Sequence, residues 1–559
     1  MISSKRFYYL FILIVLFLFG YCNNKNQKDN KIIKSQSTLV IALINDIDSF
    51  NPITTTDVTS NTIQDIIFPA LTGIKWNDSI GIVEYTPLLA KSWEISDDEK
   101  SITFHLKNNI LWSNGEKIKV KDIIYSYKLY SNPLTASPQQ FLFSNFYKKN
   151  NDEIDEQKSF SVLNDSVLQI NFKTKTSNPL QFSILKIIPD SFYQTDLKKL
   201  SQDPKSFNPI SAGPYKLKEW VPNQRIVLLQ NEKYNLGPKP NIEKIIFKVI
   251  PDYTTRLIAL KTGEIDFMEG IRPEDTKELK KSNPNIQILP LNDRTYEFVC
   301  WNNIDNIIYK KYKQIKPHRL FGNKNVRKAL TLAIDRQEII DGFLMEYGKI
   351  CNGPVSPIFK WAYNYDLKPV PYDPQTAKSI LRKEGWYDRN GDGIIDKDGL
   401  EFRFNLCINT GSPRREFCAN MIKNYLKKIG IEVNVQKLEW NLFETRIINR
   451  ELDAFINGMA VSSDLNLFEF WYSDFEKASL NDAGYRSKRA DEILEEISKQ
   501  NYLKSATLFK ELQKIIYDDE PCTFLYWYSN IIGYNKHLKN VKSNIWDSYN
   551  QISEWVKEE

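Results

Sequence analysis

The sequence predicts an α/β protein, because patterns typical of strands and of helices alternate along most of its 559 residues. The clearest instance begins at residues 101–107, where apolar and polar side chains alternate as in a half-buried strand. Asn114 and Gly115 then predict a tight turn. Residues 122–130 place apolar side chains on one helical stripe, as a helix packed against a sheet requires.

The elements before and after this block follow the same alternation. Residues 38–44 form a continuous apolar run, which is typical of a strand buried on both faces. Three further strands are predicted at residues 211–217, 225–229 and 244–252, and a stretch rich in Gly and Pro separates the last two. In the last third of the chain, the apolar side chains of residues 508–516 share one helical face.

The N-terminus predicts export. Two basic residues precede an apolar run at residues 7–20, which is shorter than the roughly 20 residues that cross a bilayer. Residues 1–22 therefore resemble the signal peptide of a bacterial lipoprotein, with Cys22 lipid-modified after cleavage and residues 23–35 as a polar tether. Tyr21 is bulkier than the small residue that usually precedes such a cysteine, so a plain signal peptide and an uncleaved anchor stay open.

The charge balance argues against a nucleic-acid-binding protein. The 75 basic and 69 acidic residues leave a formal net charge of +6, and they are spread along the chain without a basic cluster. No apolar stretch after the predicted signal is long enough for a membrane crossing. We therefore expect a large soluble body of two or three domains.

The positions of the cysteines favour buried core residues over a framework of disulfide bonds. Five cysteines follow Cys22, and an odd number leaves at least one free thiol. Cys407 and Cys418 are close enough in sequence to pair. However, Cys407 falls in a strand pattern and Cys418 shares an apolar helical face, so small core residues are the favoured interpretation.

The sequence lacks the usual catalytic patterns. Its three histidines, His105, His318 and His537, lie far apart, and no nucleophile-elbow, zinc-protease or phosphate-loop motif is present. We expect a protein that is not an enzyme and that carries no cofactor and no metal. An enzyme is the alternative from a different class, and turnover of a substrate would reveal it.

Residues 388–399 are similar to a calcium-binding loop, with oxygen-bearing side chains at positions one, three, five and nine. Position twelve is Gly399, where such a loop carries a bidentate Glu. Gly391 and Gly393 equally suit the tip of a plain hairpin, because glycine tolerates a positive φ. Both interpretations stay open, and the turn is favoured.

A series of short motifs extends in a fixed order over nearly all of the chain after the predicted signal. The motifs lie at residues 85–127, 212–215, 231–234, 250–252, 259–266, 326–336, 372–378, 385–386, 428–433, 481–485 and 519–521. The series resembles the fingerprint of the family 5 solute-binding proteins, which capture ligands for peptide-type ABC importers. The shared order, more than any single motif, carries this resemblance.

The resemblance implies a two-lobed fold like that of periplasmic binding proteins of class II, with an extra inserted domain and a hinged cleft that encloses the ligand. Two strand crossings near residues 296–301 and 523–528 would join the lobes. The implied boundaries are 36–75, 208–297 and 526–559 for lobe I, 76–207 for the inserted domain on the lobe I side, and 298–525 for lobe II.

The resemblance also implies where a ligand binds. Peptide-binding members carry a Trp-x-x-Asp segment whose Asp pairs with the amino terminus of the ligand; here Met459 and Ser462 occupy those positions. Asp464 is the nearest acid, and both an amine anchor and a plain loop acid stay open for it. Arg414 and Arg415 lie near the position where dipeptide-binding members hold an arginine for the ligand carboxylate, although an ungapped match places Asn409 there. A solvated pair at a helix start is the favoured interpretation. The other implied contacts are Asn466, Trp471, Asn481, Tyr485, Trp301, Asn302, Phe50 and Asn51, although core packing near the hinge explains Trp301 equally well.

The function that the resemblance implies is capture of peptides, or of a related solute, and delivery to the permease and ATPase subunits of an ABC importer. We expect a monomer, lipid-anchored on the outer face of the cytoplasmic membrane or in the periplasm, with the outer membrane still open. Two alternatives remain within the binding class. One is a non-peptide ligand such as a nickel chelate or an oligosaccharide, and the other is a role as a ligand-reporting sensor.

Overall fold

The computed structural model describes residues 37–175, 178–193 and 195–558. The predicted signal peptide, Cys22 and the tether lie outside these residues. From Thr38 onward the described chain is a single compact unit. Within it, no helix is long and apolar enough to cross a membrane.

The strands are numbered in chain order. They are β1 (Thr38–Leu43), β2 (Thr72–Asn77), β3 (Ile82–Pro87), β4 (Ala90–Ile95), β5 (Ser101–Leu106), β6 (Phe160–Asn164), β7 (Val167–Asn171), β8 (Tyr215–Val221), β9 (Arg225–Gln230), β10 (Lys244–Val249), β11 (Phe267–Met268), β12 (Ile286–Trp301), β13 (Gly348–Ile350), β14 (Asp396–Lys397), β15 (Leu400–Glu401), β16 (Arg403–Asn409), β17 (Glu432–Leu438), β18 (Ala454–Ala460), β19 (Cys522–Asn535), β20 (Leu538–Lys539) and β21 (Val556–Lys557).

The α-helices of the described residues alternate with these strands. They are α1 (Val58–Ile67), α2 (Val120–Ser131), α3 (Glu156–Ser159), α4 (Tyr253–Thr262), α5 (Pro273–Ser282), α6 (Asn306–Tyr312), α7 (Lys324–Leu332), α8 (Arg336–Ile339), α9 (Pro374–Lys383), α10 (Pro413–Lys427), α11 (Trp440–Ile448), α12 (Phe468–Trp471), α13 (Lys488–Ser498) and α14 (Ala506–Asp519). The predicted α/β class is confirmed.

One large sheet runs through the fold in the order β17-β16-β18-β12-β19-β11-β1-β10-β9-β8. We call the part with β1 and β8–β11 the β1 half and the part with β16–β18 the β16 half. Strands β12 and β19 pair with each other over most of their length, and they also pair with strands of both halves. These two long strands therefore join the halves.

A smaller layer accompanies the β1 half. It consists of the four-stranded sheet β4-β5-β7-β6 and the separate hairpin of β2 and β3. Leu71 and Leu89 flank the hairpin and belong to the same buried apolar cluster as Leu39 of β1. Trp301 and Phe404 belong to a different cluster, so the β16 half has a core of its own.

The elements that periodicity predicts are present. In β5, Ile102 and Phe104 are fully buried on one face, and the turn at Gly115 has a positive φ of 91°. In α2, Ile123 and Tyr127 are fully buried. The buried faces thus match the predicted ones in both elements.

One predicted strand begins four residues late. The sequence pattern starts a strand at residue 211, but β8 begins at Tyr215. The backbone N–H groups of Ala212 and Gly213 instead donate to the carbonyl of Ile67, at 3.1 and 2.8 Å, at the end of α1. A Cβ atom at Gly213 would lie 2.4 Å from the carbonyl oxygen of Ile66, so this close approach requires glycine.

The two cysteines considered for pairing are free and buried, as expected for core residues. Cys407 lies on β16 and Cys418 on α10. Burial raises the pKa of both thiols, that of Cys407 to about 11. Burial and a high pKa make both thiols poor nucleophiles.

Candidate functional site

The joining strands are irregular where they pass between the halves. Their pairing register shifts between Asn292 and Tyr296 and again between Glu297 and Phe298. Such bulges interrupt the ladder of hydrogen bonds and let a strand bend locally. The predicted crossings lie along these strands. The first irregularity begins at Asn292, four residues before the crossing predicted at residues 296–301.

A buried ionic cluster lies beside this irregular segment. The carboxylate of Glu297 on β12 is fully buried and accepts hydrogen bonds from Arg414 at 2.8 and 3.2 Å, from Arg415 at 3.0 Å and from the hydroxyl of Tyr526 at 2.5 Å. Arg415 also donates to the side-chain oxygen of Asn409 at 2.6 Å. The cluster thus ties both long strands to the start of α10.

The expectation of a solvated arginine pair is therefore wrong. Arg415 is buried, and the guanidinium of Arg414 stacks on Tyr528 with 4.0 Å to the ring centroid. Burial alone would raise the pKa of Glu297, but the two arginines hold it below its ordinary value. The sequence could not reveal this, because Glu297 lies more than 100 residues from its partners.

We predict that Glu297→Gln lowers the free energy of unfolding by about 3–5 kcal/mol, because it leaves two buried guanidinium groups without a carboxylate. Chemical denaturation measures this change. Glu401→Gln is the matched control, since it breaks the half-exposed pair with Arg403 and should cost less than about 1 kcal/mol. Equal losses in the two variants would contradict a structural role for the cluster.

Three cavities lie at or beside the junction of the halves, and of these three only the last is lined by residues of both halves. The inner cavity, of about 450 Å³, is lined by α1, by β2 and by the C-terminal segment, including Asp65, Trp76 and Trp546. The strand cavity, of about 340 Å³, lies between β12 and the same segment. The hairpin cavity, of about 250 Å³, lies between Asp78, Trp527 and Lys360. Their sizes suit small or medium-sized ligands.

Three aromatic side chains meet between these cavities. Trp76 of β2 contacts Phe359 and Trp546, with ring centroids 6.0 and 5.7 Å apart, and Phe359 lies 6.3 Å from Trp546. The guanidinium of Arg294 on β12 lies 4.4 Å from the ring centroid of Trp546. Phe359 belongs to a further buried cluster that includes Phe455 of β18 in the β16 half, so these three aromatic side chains bridge the cleft.

The tip of the β2–β3 hairpin touches the β16 half directly. The indole N–H of Trp361 donates to the carbonyl of Gly81 at 3.1 Å, and the ammonium of Lys360 donates to the carbonyl of Asp78 at 2.5 Å. A Cβ atom at Gly81, whose φ is +76°, would lie 2.0 Å from the carbonyl oxygen of Ile358. We call this contact the hairpin latch, and it holds the two halves together.

A family model now decides the identity of the chain. The model of the bacterial extracellular solute-binding proteins, family 5, matches residues 84–479. This protein belongs to that family. The two-lobed fold predicted from the sequence is therefore confirmed, together with its class as a binding protein.

Known relatives match between 62% and 98% of this chain. The oligopeptide-binding protein AppA of Bacillus subtilis (strain 168) is 28% identical over 568 residues, which cover 98% of this chain and 97% of that protein. The solved structure of B. subtilis AppA in complex with a nonapeptide has a TM-score of 0.73 at 27% identity, covering 94% of this chain and 100% of that chain. The nickel-binding periplasmic protein of Escherichia coli (strain K12) is 30% identical over 357 residues, 62% of each chain.

In this family 5 protein, Asp464 lies in a loop that its own hydrogen bonds close. Asp464 accepts from the hydroxyl of Ser462 at 2.7 Å and from the backbone N–H of Asn466 at 3.3 Å. Burial raises the pKa of Tyr85, on β3, above its ordinary value and the pKa of Tyr502 to about 12, and the charge of Asp464 adds to both shifts. Asp464 therefore lies within electrostatic range of a tyrosine from each side.

Four of the implied ligand contacts lie in the interior. Phe50 and Asn51 are fully buried, and the amide of Asn51 donates to the carbonyl of Leu200 at 3.0 Å. Trp301 is also fully buried and donates to the hydroxyl of Thr523 at 2.9 Å, while Asn302 donates to a backbone carbonyl. Ligand contact by these residues stays a prediction, and their placement favours structural roles.

The remaining three implied contacts form one buried corner. Asn481 donates to the carbonyl of Tyr485 at 2.8 Å and accepts from its N–H at 2.9 Å, and the Tyr485 hydroxyl donates to Asp519 at 2.9 Å. Trp471 packs edge-on against Tyr485. These bonds fix the loop before α13 and do not face the three cavities of the cleft, so direct ligand contact here also stays a prediction.

The cleft residues that sequence reasoning missed are mainly aromatic or charged. They are Trp76, Lys186, Glu269, Arg294, Phe359, Lys360, Trp546 and Asp547. They come from segments that are distant in sequence, and residues 544–550 show no periodic pattern. Only the unusual pairing of an indole with an acid at residues 546–547 could have drawn notice.

The loop at residues 388–399 is closed by its own hydrogen bonds. The carboxylate of Asp388 accepts from the N–H groups of Gly391 and Gly393 at 2.7 and 2.9 Å, and Asp396 pairs with Arg389 at 2.9 Å. Both glycines have a positive φ. This geometry is that of the plain hairpin turn.

The hairpin latch yields a direct prediction. We expect Gly81→Val to separate the halves, because its side chain would collide with the backbone at Ile358. Small-angle scattering should show a larger radius of gyration than for the unchanged protein. Gly115→Val is the control, since Gly115 also has a positive φ but a Cβ atom added there would meet nothing within 4 Å. Equal expansion of both variants would contradict the latch.

Proposed function

We propose that this protein is the substrate-binding component of an ABC importer and that it captures peptides in the cleft between its halves. The observation that carries the proposal is the hairpin cavity, which residues of both halves line, in a described chain whose halves are joined by only two long strands. The peptide-binding names of the full-length relatives support peptides as the ligand class.

Capture follows from hinge closure. The register shifts between Asn292 and Phe298 supply a bending point, the Glu297 cluster keeps the two strands aligned, and the hairpin latch closes the far side. A solute bound between the halves adds contacts that exist only in the closed form, so it shifts the equilibrium toward closure. We assign residues 36–75, 208–297 and 526–559 to lobe I, 76–207 to the inserted domain and 298–525 to lobe II.

Recognition needs no chemical step. A peptide presents backbone donors and acceptors along its length and a charge at each terminus, and a broad-specificity protein binds these shared features. We propose that Asp464 binds the amino terminus, because it is the acid nearest to the anchoring position of the peptide-binding members and its charge acts on Tyr85 and on Tyr502. The importer permease and ATPase would then receive the ligand from a monomeric binding protein.

Asp464 supplies a test of peptide orientation. We predict that Asp464→Asn weakens binding of a free-amine peptide about tenfold or more, since hydrogen bonds to a charged group contribute about 1.5–3 kcal/mol. Binding of the same peptide with an acetylated amino terminus should change little. Asparagine keeps an acceptor for Ser462 and Asn466, so the loop stays closed. Isothermal titration calorimetry measures both affinities, and equal losses would contradict the anchor.

We infer that Cys22 carries a lipid that anchors the protein outside the cytoplasm. The motif evidence is the short apolar run that ends at this cysteine. The N-terminal peptide of the mature protein should then begin at Cys22 with the added mass of lipid chains. An unmodified mass, with the protein in the released fraction, would contradict the anchor.

The ligand class is tested by native mass spectrometry of protein purified from its own cells, with ligands released by mild denaturation. The proposal predicts co-purified short peptides. Nickel chelates, oligosaccharides or no ligand after controls would contradict it. Steady conversion of a released solute into a product would instead support an enzyme.

A further inference from the structure

Two carboxylates that line the cavities beside the cleft have no ion-pair partner among the described residues. Asp547 lines both the inner cavity and the strand cavity, and Glu269 lines the strand cavity. Glu269 accepts hydrogen bonds from Asn530 at 3.2 Å and from Ser548 at 2.7 Å, which are neutral donors. Both side chains are half-buried, and a carboxylate that is partly removed from water without a cation has a desolvation cost, so their presence at cavity walls needs an explanation.

The cations of these two cavities are already engaged. Lys186 pairs with Asp65 at 2.8 Å, and both line the inner cavity. Arg294 stacks on Trp546 and donates to the carbonyl of Val461. Lys186 neutralises Asp65, and the two remaining carboxylates face one remaining cation, Arg294, so the lining has an excess of negative charge when all these groups are ionised.

The wall between the two cavities also presents a donor. The indole N–H of Trp546 is buried and has no hydrogen-bond partner in the described part of the chain. Trp546 and Asp547 line both cavities, so an acceptor and a cation on one ligand would satisfy both groups. A peptide with a basic side chain supplies a backbone carbonyl and a cation a few bonds apart.

We propose that the cleft selects peptides that carry a lysine or arginine side chain, and that Asp547, assisted by Glu269, binds this cation while the indole N–H of Trp546 binds a neighbouring ligand carbonyl. This inference deepens the proposed function and rests on it. The basic side chain would occupy the inner or the strand cavity, on either side of Trp546. Aromatic walls favour the same occupant, because a cation is attracted to the face of an indole ring.

The ionisation of Asp547 agrees with this geometry. Burial, together with the nearby charges of Asp65 and Glu269, raises the pKa of Asp547 to about 7, while its bond from the N–H of Tyr549 and the charge of Lys186 lower it. Above about pH 7, the ionised carboxylate of Asp547 therefore has a free-energy cost in the unliganded protein. A bound cation removes the cost.

Calorimetry at pH 8 tests the proposal with pairs of alanine-based pentapeptides. The two peptides of a pair differ only in carrying Lys or Gln at one given position. At the best position, the Lys peptide should bind at least about tenfold more tightly than its Gln counterpart. Asp547→Asn should abolish this preference. Asparagine still accepts from the N–H of Tyr549, which Asp547 does at 2.8 Å, so the turn persists.

A second measurement separates charge from structure. Lowering the pH from 8 to 6 protonates Asp547 but leaves the lysine charged, so the preference for Lys should fall in the unchanged protein and stay flat in Asp547→Asn. The charged and titratable groups around Asp547 are the same in both proteins, so their own titration affects both equally. They are Asp65, Lys186, Glu269, Arg294 and Tyr549. Glu401→Gln is the control, since Glu401 pairs with Arg403 and lines neither cavity, so the preference should persist.

The outcomes distinguish this inference from the proposed function. Equal binding of Lys and Gln peptides, or a preference that survives in Asp547→Asn, would overturn the cation site while peptide capture stands. Binding of none of the pentapeptides would contradict peptide capture itself, and the cation site with it. Loss of folding in Asp547→Asn, detected by circular dichroism, would assign the residue a structural role and overturn the proposal.

Discussion

The buried pairing of Glu297 with Arg414 and Arg415 is the constraint on which the rest of the structure depends. Only β12 and β19 join the halves of the described sheet, and both are irregular at the junction. A pair of strands with interrupted hydrogen bonds would separate or slip without a further tie. The carboxylate, two guanidinium groups and the Tyr526 hydroxyl provide that tie in a place where water cannot replace it.

This tie leaves the rest of the interface free to open. Away from the strands, the halves meet through an aromatic cluster and the hairpin latch, in which two side chains of the β16 half bond to backbone carbonyls of the hairpin. These contacts leave the hairpin cavity between the halves. Strong contacts at the hinge and weaker contacts on the opposite side of the cleft allow a protein to close over a solute and release it again.

The sequence predicted the parts of this structure that repeat locally. The alternation in β5 and the stripe in α2 follow from burial of one face, and both faces were identified correctly. Ordered motifs along the chain were enough to identify the family. The site was harder to predict, because Trp76, Phe359 and Trp546 are distant in sequence and meet only in the folded chain. Phe50 and Asn51 were implied as ligand contacts, but they are buried in the core. Local pattern cannot tell which polar residue is used by the fold and which by a ligand.

The central claim is that the halves move relative to each other about β12 and β19 when a solute binds. Pulsed dipolar spectroscopy between spin labels at Leu163→Cys, on β6, and Ile448→Cys, on α11, measures this directly; both side chains are exposed, and the native cysteines of the described chain are buried. We expect a broad distance distribution without ligand that narrows to its short end with saturating peptide. The same single distance under both conditions would contradict hinge closure.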